Sequence, residues 1–524
     1  MIYNLISDQW ITVRDFNGRL NKIKPQQLAD AQWETLDAPR ADLKGALFQF
    51  MIGLLQTTFA PEDREEWEEL WDTPPAEEEL AEAFKRYHHA FFLNDKTKPA
   101  FMQDFDLPEG EQKPVSALLL EAPGEKTLKD NQDHFIKRGM VKRMSPYWAA
   151  LSLFTLQINA PSGGAGHRVG IRGGGPMTTL LIPPLKSDTR TLWHRLWLNI
   201  LTKEELLLMS GNPDLPDDKA VFPWLAETRT SEKKGSELLP EHTHPLQMYW
   251  AMPRRIRLQW DEGQKGACDI SGEELAQCSV THFITKNYGA NYGGYWIHPL
   301  SAYDVAPDKI PNSVKAQPGG LYYRHWMGLV MEDTKKYRQP ALIVRSYKEW
   351  RAESIDSTDE AQLWVFGFDM DNMKARCWYE STMPVFSLSD EQISELGYQL
   401  PRLIDAATDS LKILKKHLKD AWFKRPKDIK GDISFIDHSF WEQTEIDFYQ
   451  QLRQLIKSLD DDKAVKTILA QWRQMLQTKT TSLFDDYVLS TLNEDGDMKR
   501  IIKARKNLQK WLNTSKPMKE LKAA

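Results

Sequence analysis

The residues with the most conspicuous chemical potential lie in one glycine-rich run, Ala160-Pro161-Ser162-Gly163-Gly164-Ala165-Gly166-His167-Arg168-Val169-Gly170-Ile171-Arg172-Gly173-Gly174-Gly175-Pro176. Such a backbone approaches another surface closely and takes φ values closed to other residues. No Gly-Lys-Ser/Thr closes it, so it is not a phosphate-binding P-loop. Gly164-Ala165-Gly166 is followed by Val169, where a dinucleotide fingerprint needs glycine. His167, Arg168 and Arg172 add cationic neighbours. The run therefore suits a phosphate or a groove edge, with Arg168 and Arg172 as candidate phosphate contacts. It equally suits a flexible surface loop.

Two other stretches have the composition of contact loops. Asn131-Gln132-Asp133-His134-Phe135-Ile136-Lys137-Arg138, followed by Lys142 and Arg143, mixes an aromatic ring with cations. That mixture stacks on a base and neutralises phosphate, or makes an ordinary basic loop. Phe366 to Trp378 places the polar turn Asn372-Met373-Lys374 directly after a strand. An apolar tip there can wedge a base step, because it replaces lost stacking; otherwise Met373 belongs to the core beneath a β-turn.

A search for a reaction finds no constellation that performs one. His242-Thr243-His244 sits in a polar loop without nearby partner ligands, and Cys268 and Cys278 form no Cys-x-x-Cys. Asp437-His438 resembles the pair of HD-type metal phosphohydrolases but stands alone beside an apolar helix. No nucleophile elbow, zincin motif or kinase set is present. The reading is no enzyme, no metal and no cofactor.

The elements that must position these loops divide the chain in two. Its 524 residues suggest several domains, and 41% apolar with 27% charged residues is a foldable globular composition. No long uncharged apolar run crosses a membrane, no signal peptide opens the chain, and three cysteines indicate a reducing cytoplasm. Residues 391–524 hold 24 Lys or Arg against 20 Asp or Glu, a net +4, which leaves −10 for residues 1–390. The chain is no polycation, so nucleic-acid contact must come from local patches or basic partners.

The fold class read from these patterns is α+β: a large irregular mixed domain over 1–388, then a four-helix bundle over 389–524. Phe16-Asn17-Gly18-Arg19 predicts a two-residue hairpin turn with positive φ at both central positions. Asp42 to Phe59 reads as a buried amphipathic helix. Residues 61–82, with eleven acidic residues and one Arg, read as a solvated helix pair around Pro74-Pro75. Candidate strands are 177–182, 255–260, 322–330 and 362–368, with a helix over 148–157. Ser389 marks a helix start, and four apolar stripes follow, beginning with Leu400, Leu403, Ile404, Leu411 and Leu414.

The segments Leu5 to Val13, Ala160 to Thr179, Trp296-Ile297-His298-Pro299 and Gly367 to Glu380, in that order, resemble the large subunit of the type I-E CRISPR Cascade complex, the CasA family. The resemblance implies a non-catalytic subunit of an antiviral RNA-guided ribonucleoprotein. Such a subunit reads the short PAM of double-stranded DNA through the minor groove and promotes duplex opening and R-loop formation. It then recruits a helicase-nuclease. Its implied partners are target DNA, crRNA, and the small and backbone subunits. By resemblance, the family's glycine loop falls on Gly164, Ala165 and Gly166, and its lysine finger on Lys286. Its wedge falls on Met373, flanked by Asn372 and Lys374. Its crRNA and neighbouring-subunit contact falls on Phe135, with Lys137 beside it. Some members hold zinc with two cysteine pairs; residues 140–147 here contain no cysteine, so a salt bridge or apolar packing is expected to hold that region. The alternatives are a metal-dependent nuclease using Asp437 and His438, or a scaffold subunit without base contacts.

Overall fold

The computed structural model describes residues 2–523 except 95–98, 108, 123–128, 130–138, 164–165, 185–190, 216, 235, 264, 276, 318, 356–359, 372–373, 427–430 and 490–496. These form two compact units: Met1–Ala316 with Gly328–Val385, and Gln317–Met327 with Phe386–Ala524. The architecture is an α+β mixture of small sheets and helices.

In the first unit, β1 (Ile11–Asp15) pairs antiparallel with β2 (Leu20–Ile23) and β3 (Trp33–Leu36). The β1–β2 turn differs from the expected one. The Gly18 N–H donates to Asp15 O at 2.9 Å and the Asp15 N–H to Arg19 O at 3.0 Å, making a three-residue loop. Of its residues only Gly18 takes positive φ, +79°. The Asp15 carboxylate accepts from the N–H groups of Asn17 and Arg19 and so favours this geometry.

Helix α1 (Ala41–Thr58) is buried on nearly every face, from Asp42 to Thr57. It is therefore a central core helix, not the amphipathic one its spacing suggested. Phe50 on it meets Trp10, Phe91, Phe101, Phe154 and Trp250 edge-on, at centroid distances of 5.6–6.0 Å. Edge-to-face rings satisfy both dispersion and quadrupole terms. Phe154 comes from the neighbouring helix Pro146–Asn159. The acidic stretch forms α2 (Arg64–Asp72) and α3 (Glu77–Lys85), whose acids face solvent while Trp67, Trp71, Leu80 and Phe84 are buried. In chain order the 146–159 helix is α4.

Two three-stranded sheets carry the loops of interest. One has the order β4 (Glu111–Pro114), β9 (Cys278–Lys286), β6 (Arg255–Glu262). A short ribbon of β7 (Gly266–Ala267) and β8 (Glu274–Leu275) lies between β6 and β9 in sequence. The other has the order β5 (Thr178–Ile182), β13 (Ala361–Asp371), β14 (Lys374–Val385). A small sheet of β10 (Tyr303–Asp304), β11 (Asn312–Ser313) and β12 (Arg338–Gln339) completes the unit.

The segment expected as a strand over 322–330 is instead a 3₁₀ turn, Tyr323–His325, running into a helical turn, Trp326–Leu329. Tyr323, Trp326 and Leu329 are buried, a three-residue spacing that only a helical path places on one side. In the second unit Tyr323 stacks on Phe448 at 4.1 Å, and its hydroxyl lies 2.9 Å from Thr444 Oγ1.

That unit is built on α5 (Asp390–Trp422), α6 (Ser434–Lys457), α7 (Asp462–Leu489) and α8 (Met498–Thr514), with a short fifth helix, α9 (Lys516–Ala523). Ser389 caps α5 as its sequence indicated: its hydroxyl accepts from the Gln392 N–H, and the Gln392 side chain accepts from the Ser389 N–H at 3.0 Å. Among the described residues no helix is long and apolar enough to cross a membrane.

Candidate nucleic-acid interface

Lys286 is the last residue of β9, in register with Arg255 on β6. The base of this strand pair is fixed from below. Arg255, 8% exposed, pairs with the buried Asp104 at 2.7 Å, and Thr285 Oγ1 donates to Arg255 O at 2.9 Å. Asp104 Oδ2 also accepts from Thr228 Oγ1 at 2.9 Å. A carboxylate so satisfied holds a buried arginine in one geometry. Lys286 and Asn287 are themselves exposed, and the Lys286 side chain makes no hydrogen bond or ion pair with the other described residues. It is a cation projecting from a rigid strand end.

The glycine-rich run lies against this strand end. Tyr288 adopts φ +63° and its N–H donates to Gly166 O at 2.8 Å. Gly166 has φ +78°, and a Cβ built on it would stand 2.8 Å from Asn287 Cβ and 2.9 Å from Tyr288 N. Only glycine permits both the conformation and the approach. Gly164 and Ala165 lie outside the described residues.

The loop is held at several points. Arg254, directly before β6, donates from Nη1 to His167 Nδ1 and from Nη2 to Pro161 O. Arg168 donates from Nε to Ser231 Oγ at 2.7 Å and from Nη2 to Ser231 O at 3.1 Å, and Ser231 Oγ donates to Gly289 O at 2.7 Å. Burial and the Arg254 charge push the His167 imidazole below its usual range, so it is a neutral acceptor.

The far end of the same run meets the β13–β14 hairpin. A Cβ on Gly175 would come 2.5 Å from Met370 Cγ and 3.0 Å from Phe368 O, so this contact also requires glycine. Lys315 Nζ donates to Gly174 O at 3.2 Å. The hairpin register pairs Asp371 with Lys374, which leaves Asn372 and Met373 as the connecting residues. Those two lie outside the described residues; Lys374 is exposed. The Arg376 guanidinium bonds both oxygens of buried Asp369, at 2.8 and 2.9 Å, beside a bulge at Asp369/Met370. One glycine-rich run thus links the lysine-bearing strand end at Gly166 to the hairpin at Gly175.

One expectation needs correction and another gains detail. Arg172 is not available to a phosphate: it is 4% exposed and donates to Thr178 Oγ1, Ser301 Oγ and Gln49 Oε1 at 2.7–3.1 Å. The acceptors Gln49, Thr178 and Ser301 hold it in the core. Residues 140–147 are also held by hydrogen bonds to their main-chain N–H groups. The Asp269 carboxylate accepts from the Lys142 and Arg143 N–H groups at 2.7 and 2.9 Å, and Cys268 Sγ accepts from the Ser145 N–H at 3.3 Å. Phe135 and Lys137 lie outside the described residues.

The residues of the nuclease alternative are engaged elsewhere. Asp437 is paired with Lys415 at 2.5 Å, and His438 Nδ1 is 2.8 Å from Tyr322 Oη. Among the described residues no group of three or more His, Cys, Asp or Glu could hold a metal ion. His242 and His244 accept from the N–H groups of Leu239 and Leu246 and act as local caps.

The residues that sequence reading missed are Arg254, Ser231 and Tyr288. The signal in sequence is slight, since Arg254 lies 87 positions from His167 and 93 from Pro161.

Comparison with known proteins sets this geometry in a family. Thermobifida fusca Cse1 superposes with a TM-score of 0.71 at 15% identity, over 99% of this chain and 98% of that one. Thermus thermophilus CasA gives 0.67 at 17% identity, over 99% of both chains. A chain of a CRISPR RNA-guided surveillance complex gives 0.64 at 15% identity, over 98% of this chain and 100% of that one. At such identities these likenesses establish the fold. The family described as CRISPR-associated protein Cse1 matches residues 4–483, most of the length, and the chain belongs to the Cse1 family.

Proposed function

We propose that this chain is the non-catalytic large subunit of a crRNA-guided antiviral complex, and that it recognises the PAM of duplex DNA from the minor groove. The observation that carries the reading is the convergence of Gly166, Lys286 and the β13–β14 hairpin on one glycine-rich run. A side-chain-free backbone enters a narrow groove closely, and an exposed lysine beside it donates to the base acceptors there. Minor-groove readout is degenerate, which suits tolerance of several PAM sequences. Asn372 and Met373 at the hairpin tip act as the wedge that opens the duplex, with Lys374 beside them, and guide RNA then pairs with the freed strand.

In this reading the net charge of −6 has a physical place. Affinity comes from the assembled ribonucleoprotein, with crRNA, small subunits and backbone subunits as partners, and this chain adds few phosphate contacts. Phe135 and Lys137 serve the crRNA and neighbouring-subunit contact, and the helicase-nuclease is recruited after R-loop formation.

The test is a gel-shift comparison over a randomised PAM library, with the crRNA complex lacking this chain and with it restored. PAM-selective, R-loop-forming binding on restoration supports the reading. Identical binding with and without the chain refutes it and leaves a scaffold without base contacts.

A further inference from the structure

We propose that Arg254 is a positioning residue: it sets the register in which Gly166 rests on the Asn287–Tyr288 turn, with Arg168 anchoring the opposite side of the loop. The inference rests on the reading of the glycine-rich run as a groove-facing element.

Arg254 ties together three parts of the fold. Its N–H donates to Gln157 Oε1 at 2.9 Å, and its carbonyl accepts from Gln157 Nε2 at 3.0 Å. Gln157 is fully buried near the end of α4, so the main chain of Arg254 is fixed. From that base its guanidinium reaches both Pro161 O and His167 Nδ1, on either side of the loop tip. The Gly163 N–H donates to His167 O at 3.4 Å, which closes the tip on itself. Held at Pro161 and His167, the loop sets Gly166, the residue next to His167, against the Asn287–Tyr288 turn.

The guanidinium is largely buried and burial lowers it to about 10, so it remains charged at neutral pH. No carboxylate among the described residues pairs with it, and its Nε has no partner. A buried cation without a counter-charge is costly. Both of its outward hydrogen bonds go to the glycine-rich loop. Arg168 complements it by binding Ser231, which is itself bonded to Gly289 beside Tyr288. The two arginines grip the loop from its two flanks.

The experiment uses the whole crRNA complex and two duplexes, one PAM-bearing and one with the PAM scrambled. Arg254→Gln is expected to lower the ratio of the two affinities at least tenfold, while affinity for the scrambled duplex changes less than twofold. Backbone attraction does not depend on the register of the loop. A pH series gives a second readout that a general loss of stability would not produce. His167 must be neutral to accept from Arg254, and it faces Arg254, Lys113 and Glu111. Wild-type discrimination should therefore fall as pH drops below the ordinary histidine range. His167→Asn keeps an acceptor but cannot titrate, and should flatten that profile. If Arg254→Gln discriminates as well as wild type, or the His167→Asn profile matches wild type, the positioning role is overturned. If wild type itself does not discriminate, the groove-reading function fails first, and that result is distinct from either variant outcome.

Discussion

The Tyr288 N–H donates to the Gly166 carbonyl at 2.8 Å, and both residues hold positive φ. Two left-handed residues facing one another make a join that tolerates no added atom on the glycine side. Gly166→Ala places a Cβ within 3 Å of Asn287 Cβ and Tyr288 N. The conformation alone costs an L-residue about 1–2 kcal/mol. The expected outcome is a displaced loop, a folded protein and a roughly tenfold or greater loss of PAM-dependent affinity at that cost. A binding titration against PAM-bearing and scrambled duplexes checks it.

Lys286→Ala removes an exposed cation from a strand end that Asp104 and Arg255 keep rigid. Hydrogen bonds from charged donors contribute about 1.5–3 kcal/mol, so PAM-bearing duplex should bind roughly ten- to a hundredfold more weakly. Melting temperature should not move, because the side chain supports nothing in the fold. Equal affinity of both forms for PAM-bearing and PAM-less duplexes would sink the assignment.

What the sequence makes legible is local. The glycine-rich run and the strand over 362–368 are contiguous segments whose composition indicates a loop and a strand, whereas the strand Cys278–Lys286 is not among those the sequence suggests, and Lys286 enters only through the family resemblance. Helix α1 and the Ser389 cap emerged from spacing and capping chemistry for the same reason. What remained hidden depends on pairs far apart in sequence. Nothing in Pro253-Arg254-Arg255 announces a grip on residue 161 or 167. Arg172 looked like a phosphate ligand because its neighbours are glycines, yet Gln49, 123 positions away, draws it inward. The 322–330 run looked like a strand by its aromatic content, but Phe448 and Thr444 give Tyr323 a helical setting.

Arg172 makes an instructive contrast with Lys286. Arg172→Met removes the bonds to Gln49, Thr178 and Ser301 inside the core, while the Thr178–Gln49 and Ser301–Met177 bonds remain, and each lost bond from the charged donor costs about 1.5–3 kcal/mol. The expected result is strong destabilisation in chemical denaturation. The salt dependence of DNA binding in the surviving folded fraction should be unchanged, because no phosphate contact is removed. A drop of about one in the log–log salt slope would restore Arg172 as a phosphate ligand.

Asp269→Ala tests how residues 140–147 are held without cysteine pairs. Removing the carboxylate orphans the Lys142 and Arg143 N–H groups, while the mutual bonds of Met144 and Val280 remain. Hydrogen exchange at 142 and 143 should accelerate with little change at 144 and 280. Uniform acceleration across the segment would show that the carboxylate is not its local anchor.

In the helical unit, Glu445 predicts a stability profile with a definite sign. Burial and nearby Glu442 raise its carboxyl from 4.5 to about 7, and its Oε1 has no hydrogen-bond partner. The folded state therefore holds this proton more tightly than the unfolded chain does. Between about 4.5 and 7 the native state binds more protons, so its stability falls as pH rises through that window. The contribution is complete below the unfolded value and lost above the folded one. Glu445→Gln keeps the shape and removes the charge. The variant's melting temperature relative to wild type should rise from pH 4 to pH 7 and then level off. A difference that stays constant across the series would show that Glu445 ionises in the folded protein as it does in water.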